Sequence, residues 1–238
     1  MVKKTIFCIL ATSFFTLGFL EADELKKGLD AYMTNDISRA MYIFDKECSK
    51  GDMIACTRLG LMYESGENVK KDLTKSKALY EKACTANEGS GCGNLAIFYE
   101  DGTGGVDIDL AKAADLYLKS CELGYTTGCY NLAIMYDAAY EEMTDFDKAI
   151  KYYDISCKQG DAWGCGNLGL MYDEAKGVKQ DYAKAVELYK QSCDMKNGIA
   201  CGNVGIMYEE GLGVKKNFKE SVKYNKLACE LGEEDFCN

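Results

Sequence analysis

The chain has no histidine and only one tryptophan among its 238 residues. Without an imidazole there can be no Ser–His or Cys–His pair to raise a nucleophile, and no histidine-bearing metal set. Long apolar runs are missing after the first 20 residues, so nothing beyond them reads as a membrane span. Positive charge is scarce: 28 Lys and Arg stand against 38 Asp and Glu, for a formal charge of −10. That balance excludes nucleic acid and anionic membrane as natural partners. Hydrophobic residues make up 47% of the chain, which argues for a packed structure and against disorder.

What is present begins with Met1-Val2-Lys3-Lys4 and an uncharged apolar run from Ile6 to Leu20, followed by Glu21-Ala22-Asp23. This reads as a secretory signal over residues 1–22, cut after Ala22 or, because Leu20 is large for its place, after Gly18. The mature chain, freed of Lys3, Lys4 and Glu21, is then one unit more negative. Cys8 lies in the apolar run behind Phe7, where a lipoprotein signal needs a small residue, so no lipid anchor is expected. Its removal leaves twelve of the 13 cysteines, an even set in an exported protein. Disulfides in the periplasm or outside the cell are the natural reading. The alternative, zinc, prefers two to four residues between paired cysteines.

Those twelve cysteines organise the chain. They form six pairs, each separated by seven residues: Cys48 and Cys56, Cys84 and Cys92, Cys121 and Cys129, Cys157 and Cys165, Cys193 and Cys201, Cys229 and Cys237. First cysteines recur every 36 residues, with one step of 37 from Cys84 to Cys121. A fixed period of this size marks an array of supersecondary units leaning on their neighbours. After each second cysteine, apolar or small residues fall at offsets +3, +4, +6 and +7, as in Leu168, Gly169, Met171 and Tyr172, which is a helical stripe. A glycine-bearing loop follows, such as Gly66 to Lys71, Gly102 to Asp107 or Gly211 to Lys216. Asp72, Asp109, Asp181 or Asn217 then suits the N-cap of a second helix.

Two columns of small residues, Gly60 with Ala96, Ala133, Gly169 and Gly205, and Ala40 with Ser76, Ala113, Ala149, Ala185 and Ser221, predict close helix crossings. Tyr80, Tyr117, Tyr153 and Tyr189 are expected beside them, with Met62, Met135, Met171 and Met207 as further core. The first cysteine of each pair closes one helix and the second opens the next, so a bridge can join the second helix of one repeat to the first helix of the following one. The resulting organisation is a cap at 23–50, repeats at 51–86, 87–123, 124–159, 160–195 and 196–231, and a tail at 232–238. In the cap, Asp23 to Thr34 supplies a lone helix and Ile37 to Lys50 the second. Glu141-Glu142 replaces the usual Gly-Val of the loop in one repeat, and Asn225 replaces the core tyrosine in the last.

The Asn-Leu-Gly-x-Met-Tyr segment, the Gly-Val loop and the Lys-Ala-x-x-Tyr-Tyr type of second helix resemble Sel1-like repeats, relatives of the tetratricopeptide repeat. With a Cys-x7-Cys pair in each unit, the chain resembles the Helicobacter cysteine-rich proteins. The resemblance implies an all-α fold, a right-handed α/α solenoid of Sel1-like helix pairs with one disulfide per repeat and a concave groove. It also implies secretion, and either a β-lactamase or penicillin-binding activity or engagement of host proteins. The serine β-lactamase pattern is absent, since no serine is followed three residues on by lysine. Catalytic residues are therefore left unassigned, and no cofactor or metal is called for.

Similarity to tetratricopeptide repeats implies that offsets +1, +2, +5 and +8 from the second cysteine line the groove. Offset +2 carries Arg58 and then Asn94, Asn131, Asn167 and Asn203, whose amides both donate and accept. Offset +5 carries Leu61, Ile97, Ile134, Leu170 and Ile206. Offset +8 is always acidic: Glu64, Glu100, Asp137, Asp173 and Glu209. Acids at a helix C-terminus oppose the macrodipole, which points to an outside reason such as a cationic partner or lysines from neighbouring turns. Gly93, Gly166 and Gly202 at +1 are expected to leave the groove floor open, and Trp163 to cover a bridge. The expected ligand is a peptide, a peptidoglycan-derived fragment or a host protein segment, bound by a monomer.

Overall fold

The computed structural model describes residues 24–66, 68–139 and 143–237. The signal segment, Cys8 and the Glu141-Glu142 substitution lie outside these residues. Among the described residues there is no strand. Helix α1 covers 24–33. It is followed by α2 (Ile37–Lys50), α3 (Met53–Ser65), α4 (Leu73–Thr85), α5 (Gly89–Asp101), α6 (Leu110–Glu122), α7 (Thr126–Ile134), α8 (Phe146–Lys158), α9 (Ala162–Asp173), α10 (Tyr182–Asp194), α11 (Gly198–Glu210) and α12 (Phe218–Glu230). The chain divides into two compact units, Met1–Leu116 and Tyr117–Asn238. In the first, α2 packs on α3, α3 on α4 and α4 on α5; in the second, each helix from α7 to α12 packs on the next. Each unit is thus an all-α solenoid of helix pairs.

The second helix of each pair starts on a side-chain cap. Asp72, Asp109, Asp181 and Asn217 accept from the amides of Lys75, Lys112, Lys184 and Glu220 at 3.0, 2.9, 2.9 and 3.3 Å. The loop before the cap is fixed from the other side. The cap amides of Asp72, Asp109, Asp145, Asp181 and Asn217 return to the carbonyls of Tyr63, Tyr99, Tyr136, Tyr172 and Tyr208 at 2.8 to 3.0 Å. This turn seats the lysine three residues past the cap over the tyrosine ring, at 5.0 Å for Lys75 and Tyr63 and 4.8 Å for Lys148 and Tyr136. The first helices have caps of their own in Asp52, Glu88, Asp161 and Asn197.

Packing follows the two columns. Tyr80, Tyr117, Tyr153 and Tyr189 are fully buried, as are Met135 and Met171. A Cβ added at Gly60 would lie 2.6 Å from the Tyr80 ring, and one at Gly169 would lie 2.8 Å from the Tyr189 ring. At these two crossings a methyl would meet the tyrosine, whereas Ala96 and Ala133 fill the same column in the copies with Tyr117 and Tyr153. The absence of proline leaves helix ends to residues in the left-handed region, Gly51, Asn87, Gly124, Gly160, Lys196 and Gly232 among them.

Six bridges, Cys48–Cys56, Cys84–Cys92, Cys121–Cys129, Cys157–Cys165, Cys193–Cys201 and Cys229–Cys237, staple the turns between pairs, with Cα atoms 4.5 to 4.9 Å apart. The first five are buried. Closing so short a loop contributes about 2–3 kcal/mol per bridge in the chain-entropy account.

Candidate functional site

The acidic column does not stand free on the first helices. The Tyr80 hydroxyl donates to Glu64 Oε2 at 2.6 Å, Tyr153 to Asp137 Oδ2 at 3.1 Å, and Tyr189 to Asp173 Oδ2 at 3.0 Å. Each bond spans 16 residues and links the end of a first helix to the core tyrosine of the second. The acids thus have a partner inside the chain, which supplies the reason for acids at helix C-termini that sequence reasoning sought outside. The signal was available: acid and tyrosine recur 16 residues apart in three copies and 17 apart in the one with the 37-residue step, and in the last copy Asn225 takes the tyrosine's place while Glu209 is exposed.

The electrostatics in the second unit follow from this pairing. Burial pushes the Asp137 carboxyl above its ordinary value; the Tyr153 hydroxyl and Lys176 pull it back, and Glu174 adds to the rise. Burial likewise raises Asp173, against the pull of Tyr189, with Glu174 and Glu210 pushing the same way as burial. Tyr153 and Tyr189 are driven far above the usual tyrosine range by burial and by the facing carboxylate. Their hydroxyls stay protonated and act as fixed donors. Each of these acids is therefore held by one oxygen and keeps its other lone pairs for a second donor. Asp137 lies on a single π-helical stretch, Met135–Ala139, that continues α7. Its Oδ1 is shielded from water and has no partner among the described residues.

The asparagines Asn94, Asn131, Asn167 and Asn203 are half-buried at the register expected of them. The Asn167 amide lies near the hydroxyls of Tyr130 and Tyr153 and lowers the pKa of both against the rise from burial, and the two rings lie 6.1 Å apart. The aliphatic column is partly open: Leu61 is 37% and Ile206 39% exposed, and Ile97, Ile134 and Leu170 are half-buried. Glu100 is half-buried.

One expectation is corrected. Glycine at +1 does not open a floor: a Cβ at Gly166 would meet Ser192 Oγ at 3.2 Å, and one at Gly202 would collide with the Phe236 ring. These glycines admit a neighbouring side chain. Trp163 is 50% exposed, and the Cys157–Cys165 bridge beside it in sequence is buried.

The geometry of a 36-residue helix pair is matched by known proteins. The Sel1 repeat model matches residues 54–88, 90–125, 126–161, 164–197 and 198–233. Over 76 residues the chain is 36% identical to HcpC of Helicobacter pylori, whose name offers beta-lactamase activity as a conjecture; that stretch is 30% of this chain and 26% of HcpC. The structure of c5321, a protective antigen of uropathogenic Escherichia coli displaying an SLR fold, is 25% identical with a TM-score of 0.81, over 91% of this chain and 47% of that one. A Sel1 repeat protein from Oxalobacter formigenes is similar at the same identity and TM-score, over 89% of this chain and 86% of its own. The chain thus spans less than half the length of HcpC and of c5321. With the repeat model covering most of its length, the chain belongs to the Sel1 repeat family.

Proposed function

We propose that the chain is an exported interaction scaffold whose first-helix face binds an extended peptide, from a protein or from a cell-wall fragment. Export is supported by six bridges, which need an oxidising compartment. Binding is supported by what the α7 and α9 copies carry on one side: an asparagine amide for backbone groups, an aliphatic left partly open, and a carboxylate oriented by a buried tyrosine. The observation that carries the reading is the Asp173 carboxylate, half open to solvent and oriented through Oδ2 by the buried Tyr189 hydroxyl at 3.0 Å, which leaves its second oxygen for a ligand donor. A peptide with lysines at alternate positions offers such donors together with a backbone for Asn131 and Asn167.

Fluorescence anisotropy of oxidised protein with an amidated fluorescein-(Gly-Lys)3 peptide tests this. Asp137→Asn and Asp173→Asn should each weaken binding by about threefold to tenfold at low salt, the scale of one charge-assisted hydrogen bond partly open to water. Binding that is absent, or equal for a Gly-Ala control, would end the proposal. Hydrolysis of β-lactams is the alternative, resting on the name of HcpC. Ser-x-x-Lys is missing from the sequence, and no cluster of three or more metal-ligating His, Cys, Asp or Glu occurs among the described residues.

A further inference from the structure

The first unit holds a small apolar hollow between α1, α2 and α3, of about 110 Å³ and lined by Leu29, Tyr32, Phe44, Arg58, Leu61 and Met62. Phe44 and Met62 are buried and form its floor, while Tyr32 is 43% and Leu61 37% exposed at its walls. An apolar cavity near 150 Å³ admits a benzene-sized group, so this one takes a single aliphatic side chain. The lining contains one charged side chain, Arg58, and no carboxylate. Arg58 is exposed and makes no ion pair among the described residues. It occupies the +2 position that Asn94, Asn131, Asn167 and Asn203 occupy elsewhere. In a chain of formal charge −10, an unpaired guanidinium on the rim of an apolar hollow is a departure from both the local and the global pattern.

We infer that this hollow binds the C-terminal residue of a peptide, taking its apolar side chain into the cavity and pairing its α-carboxylate with Arg58. The guanidinium fork presents donors spaced for a carboxylate. Only in a terminal residue do side chain and carboxylate spring from the same Cα, so one residue's footprint serves both contacts. An Asp or Glu elsewhere in a ligand would have to place its acid across from a different residue's apolar group. This inference rests on the peptide-binding reading above, since Arg58 and Leu61 stand at the register positions of that face, and it names the chemistry recognised there.

The test uses full-length oxidised protein and a probe whose peptide has no charged side chain, fluorescein-Gly-Ser-Gly-Ser-Gly-Leu, as free acid and as C-terminal amide, the constant charge of the dye cancelling in the comparison, and also as an amide ending in Leu-Asp. The free acid should bind about threefold to tenfold more tightly than either amide at low salt, and the difference should shrink as salt rises. Arg58→Gln should erase the advantage of the free acid and leave the amide unchanged; Arg58→Lys should keep part of it, lacking the fork. Replacing the terminal leucine by glycine should weaken the free acid. Because Arg58 is exposed, the variants should melt with the parent, and circular dichroism checks this. Equal binding of acid and amide, loss of both in Arg58→Gln, or full binding of the Leu-Asp amide would overturn the inference. If that happens while the lysine probe still binds, this inference alone fails; if neither probe binds, the peptide-binding reading fails with it.

Discussion

Removing one hydroxyl, in Tyr189→Phe, isolates the tyrosine–acid bond from the packing around it. The ring stays buried against Gly169, so the cavity and its contacts are kept. What is lost is a hydrogen bond of 3.0 Å to Asp173 Oδ2. Bonds to charged acceptors contribute about 1.5–3 kcal/mol and neutral pairs about 0.5–1.5. Asp173 is half open to solvent, and water can replace the hydroxyl, so the deficit near neutral pH should be about 1–1.5 kcal/mol.

The pH dependence follows in sign. Burial holds the Asp173 carboxyl above its ordinary value of 3.8, with the Tyr189 hydroxyl pulling it down; without that donor it rises further. A folded-state value above the unfolded one means that the stability linked to this group is full below the unfolded value and is lost as pH rises through the folded value. The variant enlarges that loss. Its deficit should therefore be largest near pH 7 and smaller near pH 3.5, where the acceptor is protonated. Urea unfolding followed by circular dichroism at both pH values measures the deficit, and a carbon-13 carboxyl titration follows Asp173 itself. A deficit equal at the two pH values, or an Asp173 titration that stays put or moves down, would refute the reasoning.

Gly169→Ala places a methyl 2.8 Å from the Tyr189 ring. Its overpacking should outweigh the gain in helix propensity and cost about 1–2 kcal/mol net in the same urea assay. Asp161→Ala removes the cap on the Trp163 and Gly164 amides and leaves the buried Ser156 hydroxyl without its 2.6 Å acceptor. We expect a loss of about 2–3 kcal/mol, and hydrogen exchange should speed up at the start of α9 before it does elsewhere. Replacing Cys157 and Cys165 together by alanine should lower stability by about 2–3 kcal/mol while the other five bridges still map by mass spectrometry of the unreduced protein. A chromogenic penicillin should show no turnover above a refolded blank; turnover abolished by Asp173→Asn or Asn167→Ala would reverse that conclusion.

Much of the fold was legible because the repeat writes each local rule several times over. Period and stripe separate first from second helices, and Asp72, Asp109, Asp181 and Asn217 mark helix starts because a short acceptor side chain before a lysine is a local signal. The candidate face was less legible. A contact such as that of Tyr153 with Asp137 joins residues from two helices, and no property of the acid alone announces it; only the recurring 16-residue separation does. The glycines at +1 were misread for the same reason, since what Ser192 and Phe236 place against Gly166 and Gly202 depends on the next turn of the stack. The caps Asp52, Asp161 and Asn197 passed unnoticed in turns whose glycines and cysteines drew the reading first. The π-helical stretch that carries Asp137 has no signature in a repeat of ordinary length.

Every bridge closes on itself within a span of eight residues, and none threads through another or reaches past the adjoining turn. The covalent wiring is therefore indifferent to how many modules the gene encodes. A duplication or deletion of one 36-residue segment would leave no orphan thiol and no crossed link, so the array can lengthen or shorten in evolution while its oxidative folding stays a string of independent local closures.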